Sequence, residues 1–250
     1  MSFNISPKMK LKNVINHFHN LLDAPLNPED AYDIWASTYD LEDNNLVFKL
    51  EKEILDSFFV NINLEERNIL DYGCGTGRNW KRFISQNPKS ITGCDVSSNM
   101  LEKLKQKFPS YTAYLIKDDS SLPFLKSSFD FISSTLVIAQ IKNLKKIFSF
   151  WNDWLKPGGI IIITDLHPEI LKSGGKRTFQ DNGKTLEVKN YIYTIDEVMK
   201  LCRTFNWKII ETKEKFITEE VKHYYAEKNA LHIYDKFSGM PLVYGMFIRK

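Results

Sequence analysis

Residues 68–78 read Asn-Ile-Leu-Asp-Tyr-Gly-Cys-Gly-Thr-Gly-Arg: a short apolar run, three glycines at alternate positions, then a helical pattern. Gly73, Gly75 and Gly77 let the backbone turn sharply and approach a ligand with no Cβ in the way. The helix that follows points its unpaired N–H groups at the same place. A strand, a glycine turn and a helix in this order open an α/β sheet. The dinucleotide fingerprint GxGxxG or GxGxxA is not met, because Arg78 stands where its third small residue belongs. The Walker lysine and Ser/Thr pair is missing as well, so the spacing favours neither NAD nor ATP.

From residue 68 onward strand and helix patterns alternate. Apolar runs lie at 68–72, 90–94, 112–116, 129–135 and 160–166, with helical segments near 76–86, 98–107 and 143–155. Strands that read as nearly continuous apolar runs, Ile160-Ile161-Ile162-Ile163 above all, are those buried on both faces of a parallel sheet. Pro157-Gly158-Gly159 breaks the preceding helix and turns the chain into that strand.

Before this core, residues 10–23 and 45–59 pattern as amphipathic helices. Between them lie the turn Asn27-Pro28-Glu29-Asp30 and an aromatic stretch with Tyr32, Trp35 and Tyr39. After it, 167–193 is polar and contains Gly174, Gly175 and Gly183. A helix opens at Thr194 with a Thr194/Glu197 capping box, and strands are expected at 209–217 and 242–248 around an aromatic-rich stretch, 218–240.

The length of 250 residues fits one large domain, which can bury roughly 70–75% of its unfolded surface without staples. No apolar run reaches the ~18 residues of a membrane helix, and the lysine-punctuated start is unlike a secretory signal. The chain is therefore expected in the cytoplasm, with no membrane partner. Cys74, Cys94 and Cys202 are odd in number and lack CxxC spacing, which argues against a disulfide framework or a zinc site, and no metal is expected. Net charge is +3 with mixed signs throughout and no basic block, so no nucleic-acid partner is expected.

Three acids end successive strands on one rim: Asp71, Asp95 and Asp118. Ligands of open α/β sheets bind along that carboxyl edge, and an acid where Asp95 stands can accept hydrogen bonds from both hydroxyls of a ribose.

At this point the chain strongly resembles the class I S-adenosylmethionine-dependent methyltransferases, of small-molecule type. The matching stretches are LDYGCGTG (70–77), GCDVSSNML (93–101), KDDSSLPF (117–124), SFDFI (128–132) and LKPGG (155–159), in the family's order across residues 30–166. The resemblance implies a three-layer α/β sandwich with a seven-stranded, mostly parallel sheet whose last strand, Leu242–Ile248, is antiparallel. It implies S-adenosyl-L-methionine as cofactor and a Rossmann-like transferase. Gly73, Gly75 and Gly77 would cradle the methionine end and ribose, Asp71 would order the amino-acid moiety and Asp95 would hold the ribose hydroxyls. Met100 would lie against the adenine and Asp118 would accept its exocyclic amine. The same correspondence places Cys74, Val96, Asp119 and Thr135 in the cofactor site. Tyr32, Trp35 and Tyr39 resemble an aromatic segment that forms a lid over the sulfonium in small-molecule members, with Tyr39 the best candidate.

His167, at the end of the fifth strand, is the catalytic candidate, since a His there can take a proton from a hydroxyl or amine. The alternative reading, which has slightly the better of it, is a histidine bonded to a loop carbonyl and shaping the pocket. Gln140 stands where the family often has His. Gln140, His167 and Tyr224 are the candidates for contacting the acceptor.

The expected organisation is one methyltransferase domain, 1–250. It has an N-terminal helical lid (1–60), a cofactor-binding core (61–166) and cap insertions (167–193 and 213–240) over a small-molecule acceptor. The cap aromatics are Phe179, Tyr191, Tyr193, Tyr224, Tyr225 and Tyr234. The function read from this is methyl transfer to an O or N atom of a small molecule. A non-catalytic S-adenosylmethionine sensor or scaffold is the alternative, and an NAD dehydrogenase is a remaining rival. A nucleotide- or protein-methylating enzyme is disfavoured by the absence of a basic groove and of an Asn/Asp-Pro-Pro-Tyr/Phe motif.

Overall fold

Residues 24–42, 44–117 and 122–250 are described by the structure, a computed structural model. The helical pattern at 10–23 lies outside the described residues. Pro28, preset for the first helical position, starts α1 (Pro28–Trp35), and a short 3-10 turn follows at Tyr39–Leu41. Helix α2 (Leu46–Phe59) is capped by Asn45, whose side chain accepts from the N–H groups of Val47 and Phe48. Then come β1 (Asn68–Tyr72), α3 (Trp80–Ile84), β2 (Ser90–Asp95), α4 (Ser98–Lys107), β3 (Thr112–Leu115), β4 (Phe129–Thr135), α5 (Leu144–Trp154) and β5 (Leu155–Leu166). The C-terminal third contains α6 (Pro168–Lys172), β6 (Arg177–Asp181), β7 (Lys184–Val188), α7 (Ile195–Thr204), β8 (Lys208–Phe216), α8 (Lys222–Glu227), α9 (Leu231–Phe237) and β9 (Pro241–Arg249).

Seven strands form one sheet in the order β3-β2-β1-β4-β5-β9-β8. β1 to β5 pair in parallel, and β9 is antiparallel to both β5 and β8. This is the expected three-layer sandwich, with Leu242–Ile248 inside the antiparallel strand. The strand order reverses between β1 and β4, which opens a crevice at their carboxyl ends where the glycine turn begins.

The isoleucine run in β5 shows why the strand reads as continuously apolar. Ile162 packs with Ile54, Phe58, Trp80 and Phe131 on one face, while Ile161 and Ile163 pack with Phe148, Trp151, Val198 and Trp207 on the other.

Two differences from the sequence reading have physical causes. The helix expected from 76 begins at Trp80, because Gly77 at φ 76° holds the chain in a turn. The polar stretch 167–193 contains a two-stranded hairpin, β6–β7, turned by Asn182 (φ 47°) and Gly183 (φ 76°). Two left-handed residues in sequence make the turn whose twist suits a hairpin. The aromatic stretch 218–240 holds α8 and α9.

The segment before α1 is stitched to the hairpin: Leu26 N–H donates to the Glu187 carbonyl and Lys189 N–H to the Leu26 carbonyl, each at 2.8 Å. Ala31, Trp35 and Ala36 pack with Met100, Phe179 and Val188, which seats α1 between α4 and the hairpin. No helix among the described residues is long and apolar enough to cross a membrane.

Candidate active site

The glycine turn is fastened to the ends of β1 and β2. Gly73 and Cys74 N–H both donate to the Cys94 carbonyl, at 2.7 and 3.0 Å, and Gly75 N–H donates to Asp95 Oδ2 at 2.8 Å. Asp95 Oδ1 accepts from Ser97 N–H at 2.9 Å, while burial pushes the carboxyl pKa up against these donors. Gly73 and Gly75 both have positive φ, 75° and 51°, for different reasons. A Cβ on Gly73 would stand 2.3 Å from the Val137 side chain, whereas one on Gly75 would meet nothing within 4 Å. Gly73 is glycine for packing; Gly75 faces open space beside a carboxylate.

Asp71, on β1, is 2% exposed and accepts from Trp80 Nε1 at 2.8 Å. Its other oxygen, Oδ1, is buried with no hydrogen-bond partner among the described residues. Burial lifts its pKa to about 6. Besides Trp80, the nearby Ser133 hydroxyl is the chain's own candidate donor to this carboxyl, and a buried oxygen left without a partner has room for a donor from outside the chain as well.

Helix α1 and the 3-10 turn after it are tied to this rim through two acids. Asp33 accepts from Ser97 Oγ at 2.6 Å and from Asn99 N–H at 3.0 Å, and Asp40 accepts from Thr76 Oγ1 at 2.6 Å and pairs with Lys107 at 2.7 Å. Tyr32 stacks on Trp35 (5.6 Å between ring centres), Trp35 stacks on Phe179 (4.8 Å), and Tyr39 meets Trp35 edge-on (5.1 Å). Met100 is buried under this group, and the phenol of half-buried Tyr39 is raised in pKa chiefly by burial. Val96 is half-buried beside Asp95, Cys74 is buried with its thiol pKa pushed up, and Thr135 accepts from Asn79 Nδ2 at 3.1 Å. Asp118 and Asp119 lie outside the described residues.

A second polar cluster escaped the sequence reading. Fully buried Glu51 of α2 pairs with Arg78 at 2.5 Å and accepts from Thr164 Oγ1 at 2.8 Å. Asp165, near the end of β5, pairs with Arg177 at 2.5 Å and accepts from Ala139 N–H at 2.8 Å; Tyr32 Oη lies 3.5 Å from the same guanidinium. Two signals existed. Glu51 interrupts the apolar face of α2, and Asp165 is a fourth acid at the carboxyl rim.

His167 takes a capping position. Its Nδ1 accepts from Glu169 N–H at 3.2 Å, so the neutral ring carries its proton on Nε2, 3.2 Å from Glu214 Oε1. At 3% exposure, with both nitrogens engaged by the protein, the ring offers an acceptor no free atom in this arrangement. Gln140 is half-buried. Turned to satisfy its neighbours, its amide nitrogen donates to the Leu136 and Val137 carbonyls and its oxygen accepts from Arg177 Nε at 3.0 Å.

Beside the rim lies an open cavity of about 900 Å³ between α2, the β6 edge and the 217–242 segment. Trp35, Arg177, Phe179, Tyr224 and Tyr225 are among its lining residues. Among the other expected cap aromatics, Tyr193 instead bonds the Ile141 and Lys142 carbonyls, and Tyr234 bonds Glu219. Tyr191 is tied to the core through its N–H, donated to the Ala139 carbonyl at 2.6 Å.

Residues 70–163 match the family model described as a methyltransferase domain. Over 139 residues, 49% of this chain, the sequence is 32% identical to the biotin biosynthesis bifunctional protein BioHC of Teredinibacter turnerae, of which it covers 24%. Over 169 residues, 65% of this chain, it is 27% identical to malonyl-acyl-carrier-protein O-methyltransferase 2 of Ilyobacter polytropus, of which it covers 60%. The chain thus spans less than two thirds of the length of these curated relatives. An S-adenosylmethionine dependent methyltransferase from Mesorhizobium loti has a similar structure, with a TM-score of 0.61 at 18% identity over 79% of this chain and 97% of that one. The cyclase SpnF is similar to the same degree, 0.61 at 16% identity over 89% and 95%. At such identities the likeness is one of fold.

Proposed function

We propose that this chain, whose residues 70–163 match a methyltransferase domain, transfers a methyl group from S-adenosyl-L-methionine to an O or N atom of a small-molecule acceptor. The observation that carries this is the pairing of open space at Gly75 with two buried acids, Asp95 bonded to the turn and Asp71 with an unpartnered oxygen. The residues present suit that cofactor. Asp95 has lone pairs left for ribose hydroxyls, Asp71 Oδ1 suits the ammonium of the methionine end, and Gly75 leaves room between them. Tyr39 and Tyr32 offer aromatic faces to a cationic sulfur.

When bound, the cofactor, held by Asp95 and Asp71, would supply a methyl carbon already activated on sulfur for transfer to a lone pair of the acceptor. The chain's own part is alignment and a dry site, which can lower the barrier by ~7–11 kcal/mol, against ~10²–10⁴-fold from a general base. That His167 is engaged as a cap accords with catalysis by positioning.

In this reading residues 1–60 serve as lid, 61–166 as cofactor core, and 167–193 and 213–240 as cap over the acceptor. The buried free thiols of Cys74, Cys94 and Cys202 suit a reducing compartment, the cytoplasm. Because a cyclase shares this fold, the site and not the fold must decide the reaction. The test is titration calorimetry with S-adenosylhomocysteine, and transfer of labelled methyl to a metabolite extract, on the wild type and Asp95→Ala. Equal binding and labelling by the variant sinks the assignment.

A further inference from the structure

We propose that the acceptor is lipophilic, a molecule with an apolar body and one polar, methyl-accepting group. Its body would sit in the cavity beside the rim and its polar group against Trp35 and Arg177. This deepens the methyltransferase reading and rests on it.

At about 900 Å³ the cavity is near the top of the roughly 300–1,000 Å³ range of clefts that take drug-sized ligands, so it is large for a small polar metabolite. Its walls are mostly apolar, with Val47 and Phe48 from α2, Ile170 from α6, Ile233 and Phe237 from α9, and Leu242 from β9, alongside polar groups such as Asn45, Gln180 and Lys228. Of the charged groups that line it, Glu42 accepts from Trp35 Nε1 and Asn45 Nδ2, two of the three cations have carboxylate partners, and Lys228 is left without an ion pair among the described residues. Arg177 is held by Asp165 and Lys176 by Glu187, each at 2.5 Å, so at the Arg177 end a strongly charged acceptor group would have to compete with an existing ion pair. The apolar character continues to the outside. Leu41 is 76% exposed and Ile233 37%, and both line the cavity. Apolar side chains left in water at the lip of an apolar cleft mark a surface that gains by being covered.

Orientation follows from which wall the cavity shares with the rim. Trp35 lines the cavity and also stacks on Tyr32, while Arg177 lines it and is bonded by Asp165. The reacting atom must approach the methyl carbon to about 3–3.5 Å, so it belongs at this end and the apolar body at the other.

The neutral lipophilic fluorophore N-phenyl-1-naphthylamine, titrated into the full chain in the presence of S-adenosylhomocysteine, tests the proposal. Saturable binding is expected, weakened at least ten-fold in Ile233→Asp and in Val47→Asp, with S-adenosylhomocysteine affinity unchanged in both. Ile233 is partly exposed, so its variant keeps its fold, and retained S-adenosylhomocysteine binding verifies this. Absence of saturable binding, or equal binding by the Ile233→Asp protein, overturns the proposal. If the fluorophore binds as expected but S-adenosylhomocysteine does not bind at all, the lipophilic groove stands and the methyltransferase reading falls.

Discussion

Gly75 and Asp95 are joined by a single hydrogen bond of 2.8 Å from backbone N–H to carboxylate, which makes the turn after β1 and the acid closing β2 one unit. Removing the carboxylate therefore acts twice. In Asp95→Ala the ligand loses its charged acceptor, and Gly75 and Ser97 lose theirs. Hydrogen bonds to charged groups contribute about 1.5–3 kcal/mol each, so S-adenosylhomocysteine binding should weaken roughly 10- to 100-fold or more in calorimetry. The free protein should lose about 1–3 kcal/mol in urea unfolding. A variant with unaltered affinity would remove Asp95 from the site.

The two neighbouring glycines should respond in opposite ways. Gly73→Ala drives a Cβ to 2.3 Å from Val137 at a left-handed φ, so it should destabilise the fold itself. Gly75→Ala meets nothing within 4 Å and should cost only the left-handed backbone term, roughly 1–2 kcal/mol, while its methyl fills the space a ligand needs. Thermal melts with and without S-adenosylhomocysteine separate the two: Gly75→Ala should fold and show no ligand-induced rise in Tm.

The turn, the sheet and the strand-end positions of Asp71 and Asp95 were legible because each follows from a local pattern: glycines at alternate positions, apolar runs of strand length, an acid at a strand end. The β6–β7 hairpin carried its own signal, Asn182-Gly183, which a polar loop reading passed over. The Glu51–Arg78 and Asp165–Arg177 pairs were not legible, because their partners are 27 and 12 residues apart in sequence and meet only once α2 and the hairpin dock on the sheet. His167 was half legible. Its place at the rim follows from β5, but its role as a cap depends on Glu169 and Glu214, and Glu214 comes from a distant strand.

Asp71 gives the free protein a pH dependence of definite sign. Its pKa is raised from 3.8 to about 6, so between these values the folded protein holds a proton that the unfolded chain has released. Stability therefore falls as pH rises through that window, and above it the penalty reaches about 3 kcal/mol. Asp71→Asn keeps an acceptor for Trp80 and removes the penalty, so its Tm should exceed that of the wild type at neutral pH and approach it near pH 4. A cationic ammonium at Asp71 Oδ1 favours the charged form, so wild-type affinity for S-adenosylhomocysteine should increase as pH rises through about 6. That rise should be absent in the variant.

Arg177, in the wall of the cavity and 7% exposed, forms a buried pair with Asp165. Removing one partner of such a pair leaves a buried charge uncompensated, which costs about 3–5 kcal/mol. Arg177→Met should therefore be among the most destabilising single changes in the cap, read as a lower urea midpoint. Asp165 would still accept from the Ala139 and Leu166 N–H groups, and an amide at that position retains part of this capacity. Adding Asp165→Asn to Arg177→Met should therefore recover most of the loss, because the stranded charge is gone. If the double variant is as unstable as the single one, the cost lies in lost packing around Trp35 and Phe179 and not in the ion pair.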